Sequence, residues 1–209
     1  MGSIPPRDNH FFFLTRISRL LVPVIVAQIL VTAGMMIAYN FYPNFLFWEN
    51  TSVVDDVGTL GMYFFIINTG LGLAIWIIFL YWFYMAYKNL KVLYVGPLRH
   101  SPFGALVCLF IPILNLWETY YNVKEIWKYS DPNTLPSGEP IKYISEQNIV
   151  RIWWISILLS IGFLFFDRIS TSTISDSLYI LALYMWILIV RKVTFWQNEK
   201  YKALSSPQN

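Results

Sequence analysis

The residue types that most often bind metals or act as nucleophiles are rare in this sequence of 209 residues. There are two histidines, His10 and His100, and one cysteine, Cys108. The histidines lie far apart and flank different segments, and Cys108 stands in an apolar run, so the sequence indicates neither a zinc nor a haem ligand set. A lone cysteine cannot form an intramolecular disulfide, and in an apolar setting it is usually an inert, buried thiol. We therefore predict no metal and no cofactor.

Acid–base and nucleophilic chemistry is also poorly supported. Asp and Glu avoid the long apolar runs, so Ser156 and Ser160 have no charged neighbour in sequence, and we interpret them as hydrogen-bonding residues between helices. The runs also contain no ionisable residue. An ionisable residue within a span is the usual signature of proton relays and ion-coupled transport, and the sequence lacks that signature. We predict no catalytic residue. Uncharged polar residues could still line a pore, and the candidates are Gln28, Thr32, Asn68 and Asn115.

Basic residues form the remaining candidate site. In the topology that the charges favour, they gather at the inner face of the membrane, and they are Lys88, Lys91, Arg99, His100, Lys124 and Lys128. Such a face could bind anionic lipid headgroups or an acidic partner. Alternatively, these residues have no binding role and only reflect the preference of Lys and Arg for the cytoplasmic side of the membrane. We do not expect nucleic acid as a partner.

The segments that hold these residues are predicted to be membrane helices. Hydrophobic residues make up 56% of the chain and charged residues only 13%, whereas charged residues are about 25% of a typical soluble domain. The uncharged runs 20–41 and 57–87 each exceed the ~20 residues with which a helix crosses a ~30 Å hydrocarbon core. Two shorter runs, 152–166 and 177–190, can be completed by flanking residues and snorkelling basic side chains. The sequence thus predicts an all-α integral membrane protein with four transmembrane helices.

Small residues in the second span would let another helix approach closely. They are Gly70, Gly72 and Ala74, and we interpret them as packing positions within the bundle, with a dimer interface as the alternative. A polar turn is predicted at 167–176, between the last two spans. The four predicted spans lie near 20–41, 60–87, 149–166 and 175–196. They form one membrane domain, 20–196. The predicted cytoplasmic tails are 1–19 and 197–209.

The stretch 102–116 decides whether the chain has four spans or five. Pro112 would interrupt the backbone hydrogen bonds of a helix there, and Asn115 would be costly if it faced lipid. If this stretch crossed the membrane, the lysines and arginines would divide 7 inside and 8 outside, whereas a stretch that dips and returns divides them 14 to 1. Lys and Arg concentrate in cytoplasmic loops. We therefore predict a re-entrant broken helix over 102–116, with Asn115 bridging backbone groups that Pro112 leaves unpaired.

An interfacial helix is predicted to follow over 116–129. Its apolar and polar residues fall on two faces at helical spacing, which is typical of a helix that lies along a membrane surface. The apolar face would hold Leu116, Thr119, Tyr120, Val123, Ile126 and Trp127, and the polar face Glu118, Asn122 and Glu125.

Residues along most of the chain are similar to those of a known family. The run FIPILNLW, from Phe110 to Trp117, is the most specific part. Together these residues resemble an uncharacterised bacterial membrane family, catalogued as domain of unknown function 4328, over roughly residues 60–190. The chain departs from the family at Thr119, where such proteins often have a proline before the tyrosine. The residues that carry the resemblance are Trp82, Asn89, Pro102, Trp117, Trp127, Trp153 and Trp154.

The resemblance implies a four-span integral protein of the bacterial membrane, and it implies no reaction and no catalytic residue. The predicted function is therefore that of a non-enzymatic component of the bacterial cytoplasmic membrane, either a small subunit of a larger complex or a self-assembling helical bundle. Its partners would be the lipid bilayer, including anionic lipids, and other membrane subunits or further copies of the chain. A small pore or transporter is the alternative, and a membrane enzyme is the third interpretation.

Overall fold

The structure, a computed structural model, describes residues 11–41, 55–94, 96–134, 148–163 and 169–205. Within these ranges the chain is all-helical and has no strand, which confirms the predicted all-α class. The helices in these ranges are α1 (Thr15–Phe41), α2 (Asp55–Leu93), α3 (Pro102–Cys108), α4 (Pro112–Ser130), α5 (Asn148–Phe163) and α6 (Ile169–Ser205).

Three helices in the described part of the chain are long and apolar enough to cross a membrane. They are α1 over Thr15–Ala38, α2 over Gly61–Leu93 and α6 over Thr173–Ser205. α5 is apolar as well, but its 16 residues fall short of the ~20 that a span needs. These helices indicate a membrane protein, and the number of four spans stays a prediction.

α2 and α6 both continue past the predicted spans. α2 includes Lys88 and Lys91 in its last turns, and α6 includes the predicted tail as far as Ser205. Hydropathy detects only the apolar part of such a helix, because its backbone hydrogen bonds can continue through polar residues. The segment 135–147, which follows the predicted interfacial helix, and most of the segment between the first two predicted spans lie outside the described residues.

The predicted polar turn at 167–176 is wrong for most of its length, because α6 begins at Ile169. A polar segment can remain helical when its hydroxyl groups find carbonyl partners. The Ser175 hydroxyl does so by donating to the carbonyl oxygen of Ser160 in α5, at 2.9 Å. The Ser160 hydroxyl also lies 3.3 Å from the Ser175 hydroxyl, which confirms Ser160 as a hydrogen-bonding residue between helices.

The predicted break at Pro112 is present. α3 starts behind Ser101, whose hydroxyl oxygen accepts the backbone N–H of Gly104 at 2.9 Å. Ile111 has φ −94° and ψ 108°, the extended conformation expected before a proline, and α4 then begins at Pro112. The seven residues of α3 reach only about 10 Å at 1.5 Å per residue, too short to cross a membrane. The re-entrant path of this stretch stays a prediction.

α4 buries most of the predicted apolar face, namely Thr119, Val123, Ile126 and Trp127, and also part of the predicted polar face. Leu116, predicted on the apolar face, is 53% exposed, whereas Glu118 and Asn122, predicted on the polar face, are buried. Glu118 can be buried because Arg99 and His100 bind its carboxylate. The buried residues of α4 are Glu118, Thr119, Asn122, Val123, Ile126, Trp127 and Ser130.

The chain divides into two compact units. Unit 1 comprises residues 1–19, 79–151 and 188–209, and unit 2 comprises residues 20–78 and 152–187. Every lysine and arginine among the described residues belongs to unit 1. The core of unit 1 includes Trp82, Phe83, Tyr87, Leu90, Val123 and Ile126, none of which is exposed.

Candidate functional site

Glu118 is the centre of a group of charged and polar side chains in unit 1. This group, the Glu118 cluster, consists of Tyr87, Arg99, His100, Glu118 and Glu125. Arg99 donates from Nε and Nη2 to the two carboxylate oxygens of Glu118, both at 2.9 Å. His100 Nε2 lies 2.9 Å from Glu118 Oε2. A two-pronged arginine–carboxylate contact is among the strongest ion-pair geometries, so Glu118 fixes the position of the Arg99 guanidinium group.

Glu125 ties the cluster to the segment between α2 and α3. Its carboxylate accepts the hydroxyl of Tyr87 in α2 and the backbone N–H of Arg99, the latter at 3.1 Å. The backbone N–H of His100 donates in turn to the Tyr87 hydroxyl oxygen at 3.2 Å. Residues 99 and 100 are therefore held by both α2 and α4, which fixes where their side chains lie.

The electrostatics of the cluster favour its charged form. Hydrogen bonds from Arg99 hold the pKa of the Glu118 carboxyl below its usual range, against the opposing effect of burial, and His100 lowers it further. The same bonds raise the pKa of Arg99. Glu118 is therefore an anion at neutral pH, and the chain itself supplies Arg99 as the cation that balances it.

We expect the Arg99–Glu118 pair to stabilise the fold at neutral pH and to lose this effect in acid. The folded pKa of Glu118 is below the unfolded value of about 4.3, so its contribution is present above that pH and disappears as the pH falls through the folded pKa. Glu118→Gln should lower the free energy of unfolding by about 1–2 kcal/mol at neutral pH, a modest value because Arg99 is half exposed. Thermal unfolding in detergent should show this difference shrinking below about pH 4.

Glu199→Gln is the matched control for this experiment. Glu199 pairs with Lys202 at 3.1 Å, but both side chains are exposed, so the loss should be within about 0.5 kcal/mol at every pH. A Glu118→Gln difference that stayed constant down to about pH 3 would contradict the assigned role of the carboxylate.

Two adjoining cavities open beside the Glu118 cluster. The larger has a volume of about 660 Å³, and its lining includes Lys91, Arg99, His100 and Ser101. The structure thus brings together four of the six predicted basic residues, because Lys88 lines the smaller cavity. The smaller cavity, about 260 Å³, is lined by Tyr84, Lys88, Lys91, Val92, Ser101, Pro102 and Phe103.

Several of the predicted basic residues lie against aromatic rings. A ring attracts a cation without neutralising it, so these side chains keep their charge for an anionic partner. Lys124 and Lys128 are held in this way but do not line the two cavities. The pairs, with the distance from the cation to the ring centre, are Lys88 with Phe12 (4.6 Å), Arg99 with Tyr121 (4.5 Å), Lys124 with Tyr120 (5.8 Å) and Lys128 with Tyr129 (5.0 Å).

Most of the residues that carry the family resemblance are packing residues. The Trp127 ring lies 4.7 Å from the Trp196 ring in unit 1, and the Trp153 ring stacks on Trp186 at 4.8 Å in unit 2. Trp117 differs from the others, since it is 44% exposed. The buried members of the set are Trp82, Asn89, Pro102, Trp127 and Trp153, and Trp154 is half-buried.

Asn115 forms its hydrogen bonds within α4. Its side-chain oxygen accepts the hydroxyl of Thr119, and its backbone N–H donates to the carbonyl of Ile111 at 2.8 Å. No hydrogen bond among the described residues joins its side chain to the backbone at Pro112. The predicted bridging of the bend by Asn115 is therefore not what the structure shows.

Gly70 and Gly72 have open space around them. A Cβ atom built on either residue meets no described atom within 4 Å. In the described part of the chain, nothing packs against these two glycines as the prediction of packing within the bundle requires. The alternative prediction, a dimer interface, remains. Ala74, the third predicted packing residue, is half-buried.

Three of the candidates for a polar pore bond to one another within unit 2. Gln28 donates to the side-chain oxygen of Asn68 at 2.7 Å, and the Thr32 hydroxyl donates to the same oxygen at 3.2 Å. Gln28 and Thr32 are buried. These bonds connect α1 with α2, so packing between helices accounts for the three polar residues.

A polar network that the sequence did not predict joins distant parts of unit 1. Asn89 donates to the backbone oxygen of Phe12 and to the side-chain oxygen of Gln197, both at 2.8 Å, and accepts the Phe12 N–H at 2.9 Å. Gln197 donates to the carbonyl of Ala86 at 3.0 Å and to the hydroxyl of Ser130 at 2.9 Å. Asn89 and Gln197 are fully buried. No local signal marks these partners, because hydropathy assigns Gln197 to a tail.

Lys200 is a second residue that the sequence assigned to the tail and the structure buries. Its ammonium group donates to the carbonyl oxygens of Tyr129 at 2.8 Å and Asp131 at 3.4 Å, at the C-terminal end of α4. A cation is favourable there because the last carbonyl groups of a helix carry partial negative charge. Lys200 therefore helps to fix α4 against α6.

The described residues contain no group of three or more His, Cys, Asp and Glu side chains placed to hold a metal ion. His100, the one histidine among them, binds Glu118, and Cys108 is buried. What the arrangement offers chemically is an open, positively charged pair of cavities beside a fixed guanidinium group. Such an arrangement is chemically suited to an anion.

A family model matches most of the chain. It is described as Domain of unknown function (DUF4328), and it matches residues 49–195. The match includes every residue that carried the resemblance in the sequence, from Trp82 to Trp154, and confirms that resemblance. No curated protein and no solved structure matches the chain.

Proposed function

The chain belongs to the family described as domain of unknown function 4328, and we propose that it is a non-enzymatic, multi-pass membrane protein that forms part of a larger membrane assembly. It acts either as a small subunit of a complex or as a bundle that assembles with copies of itself. α1, α2 and α6 support the membrane location. An uncovered surface of α2 supports the assembly.

The proposed topology has four spans, with both termini in the cytoplasm of a bacterial cell. In this topology α5 belongs to the third span in chain order, near 149–166. Contacts between the two ends of the described chain support this arrangement, since the Asn198 side chain donates to the Thr15 hydroxyl at 2.9 Å and the Phe11 ring stacks on Tyr201 at 4.1 Å. In a five-span protein these ends lie on opposite sides of the membrane and cannot touch.

The distribution of positive charge supports the same topology. All described lysines and arginines belong to unit 1, whereas a five-span chain would divide them between the two sides of the membrane. The basic residues of unit 1 are therefore proposed to lie on the cytoplasmic side of the membrane.

Exposed apolar residues support a re-entrant path through α3. Phe103, Phe110 and Ile113 are 68%, 58% and 66% exposed. Such a cluster of large apolar side chains is unfavourable in water and favourable in hydrocarbon. Because α3 is too short to reach the opposite face, the proposed path enters the membrane and turns back at Pro112.

The observation that carries the proposed assembly is an open notch on α2. Gly70 is exposed, and a Cβ atom built on it meets no described atom within 4 Å. Ile66, Leu73 and Ile77 lie one or two turns away on the same face and are 55%, 62% and 67% exposed. A glycine between large apolar residues lets a second helix approach closely, whereas contact with lipid needs no such notch.

Gly70→Leu is expected to disrupt the assembly without destabilising the chain. The Cβ atom of the new side chain meets no described neighbour, and replacing a helical glycine favours the helix by up to about 1 kcal/mol. We therefore expect an unchanged or slightly higher unfolding temperature and a smaller particle after extraction in mild detergent. Light scattering and native mass spectrometry measure the particle mass, and the proteins that copurify identify the partner.

Gly162→Leu in α5 is the matched control, because a Cβ atom there also meets no described atom within 4 Å. It should leave the particle mass unchanged. If both variants keep the wild-type mass, or if both lose it, Gly70 is not a specific contact and the proposed assembly surface is wrong.

A further inference from the structure

The two cavities beside the Glu118 cluster differ in chemical character but share a wall. Lys91 and Ser101 line both of them. The larger cavity adds Arg99 and His100, and its lining also includes Tyr94, Pro97 and Leu98. The smaller adds Val92, Pro102 and Phe103 to its lysines. Together they form a continuous site, in which the end with Arg99 is called the cationic end and the end with Phe103 the apolar end.

The cationic end has a positive charge that no side chain of the described residues balances. Both carboxylates of the cluster, Glu118 and Glu125, are already engaged by hydrogen bonds from Arg99 and Tyr87. Glu118 uses Nε and Nη2 of Arg99, which leaves Nη1 with no acceptor among the described residues. Lys91 is exposed and has no hydrogen-bond or ion-pair partner among them either. An anion in the larger cavity would therefore meet the unpaired ammonium group of Lys91 and the free Nη1 donor of Arg99, whose charge Glu118 already balances.

The apolar end points to a ligand that also has a hydrocarbon part. Phe103 is 68% exposed, although it lines a cavity next to basic residues. The site also lies at the end of an apolar segment, because Lys91 is in the last turn of α2, whose apolar part runs over Gly61–Leu93. A soluble phosphate compound would use the lysine and the arginine but would leave Phe103 uncovered.

We propose that the two cavities together bind one anionic phospholipid, with its phosphate group beside Lys91 and Arg99 and the start of an acyl chain against Phe103. Glu118 already fixes the orientation of the Arg99 side chain, so ordering this side chain costs little free energy when the lipid binds. Lys88, at the smaller cavity, adds a further positive charge near the headgroup. The proposal rests on the membrane location argued above, but not on the assembly through Gly70.

Native mass spectrometry of the detergent-purified full chain, titrated with phosphatidylglycerol or phosphatidylcholine, tests the site. The wild type should retain one phosphatidylglycerol molecule at concentrations where phosphatidylcholine is lost. Lys91→Ala should weaken phosphatidylglycerol binding about fivefold, the equivalent of ~1 kcal/mol for one lysine. Phe103→Ala should weaken it as well, and because this side chain is exposed, the unfolding temperature should not change.

Two controls separate this site from general attraction of charge and from a soluble ligand. Lys202→Ala removes an equally positive, 69% exposed side chain outside both cavities, and it should leave lipid binding unchanged. Glycerol 3-phosphate, a soluble phosphate monoester without acyl chains, should not displace the lipid at matched concentration. Equal binding of the two lipids, equal effects of Lys91→Ala and Lys202→Ala, or displacement by glycerol 3-phosphate would each overturn the proposal. None of these results depends on the particle mass that tests the assembly.

Discussion

Replacing Asn89 by leucine is expected to lower the free energy of unfolding by about 3 kcal/mol. Asn89 is fully buried and takes part in three hydrogen bonds, two with the backbone of Phe12 and one with Gln197. Leucine has a similar size but cannot form any of them. The Gln197 oxygen would then be left buried without that donor, and each such loss costs about 1–3 kcal/mol.

Asn122→Leu is the matched control for Asn89→Leu. Both asparagines are fully buried in unit 1, but neither side-chain polar atom of Asn122 has a hydrogen-bond partner among the described residues. Replacing an unpaired buried amide by an apolar group of similar shape should be neutral or stabilising, by up to about 1–3 kcal/mol. Asn89→Leu should therefore lower the unfolding temperature in detergent, whereas Asn122→Leu should leave it unchanged or raise it.

A second measurement links the effect of Asn89→Leu to the network itself. Phe12 depends on Asn89 for both of its backbone hydrogen bonds, so the segment before α1 should become accessible to protease in this variant. Equal destabilisation by Asn89→Leu and Asn122→Leu, with no change in cleavage near Phe12, would show that packing and not this network holds the segment.

The parts of the fold that the sequence predicted are those governed by local rules. The apolar runs of α1, α2 and α6 exceed the length of a membrane crossing, so composition alone identifies them. The break before α4 follows from Pro112, because a proline restricts the residue before it wherever it stands. The helical parts of α2 and α6 beyond the apolar runs could not be predicted in this way, since hydropathy carries no information on where a polar helix ends.

The partners within the candidate site could not be predicted, because they are distant in the sequence. The bond from Asn89 to Gln197 joins residues 108 positions apart. Glu118 was assigned to a polar, outward face from helical spacing alone, and spacing cannot show that Arg99 and His100 cover that face. The sequence did predict a convergence of basic residues, and the structure brings Lys88, Lys91, Arg99 and His100 to the same two cavities.

Cysteine labelling is expected to give an all-or-none result for the topology. In the proposed four-span arrangement, positions 52 and 172 face the outside, and positions 137 and 205 face the cytoplasm. Cys108 is first replaced by alanine, because it is the single native thiol. One cysteine is then placed at Ser52, Ser172, Ser137 or Ser205, and intact spheroplasts are treated with a membrane-impermeant maleimide. Ser205 serves as a cytoplasmic reference in the described part of the chain, since it is exposed at the end of α6.

Ser52→Cys and Ser172→Cys should label directly, and Ser137→Cys and Ser205→Cys only after the membrane is permeabilised. The physical reason is the division of Lys and Arg, 14 to 1 with four spans against 7 to 8 with five, since positive residues are retained on the cytoplasmic side. The contact of Phe11 with Tyr201 requires the same arrangement, because it places the two ends of the described chain on one side. Five spans would reverse the result at three positions, with direct labelling of Ser137→Cys and Ser205→Cys and protection of Ser172→Cys. That pattern would make the stretch 102–116 a true crossing, and it would place the lysines of α2 and the C-terminal part of α6 on opposite sides of the membrane.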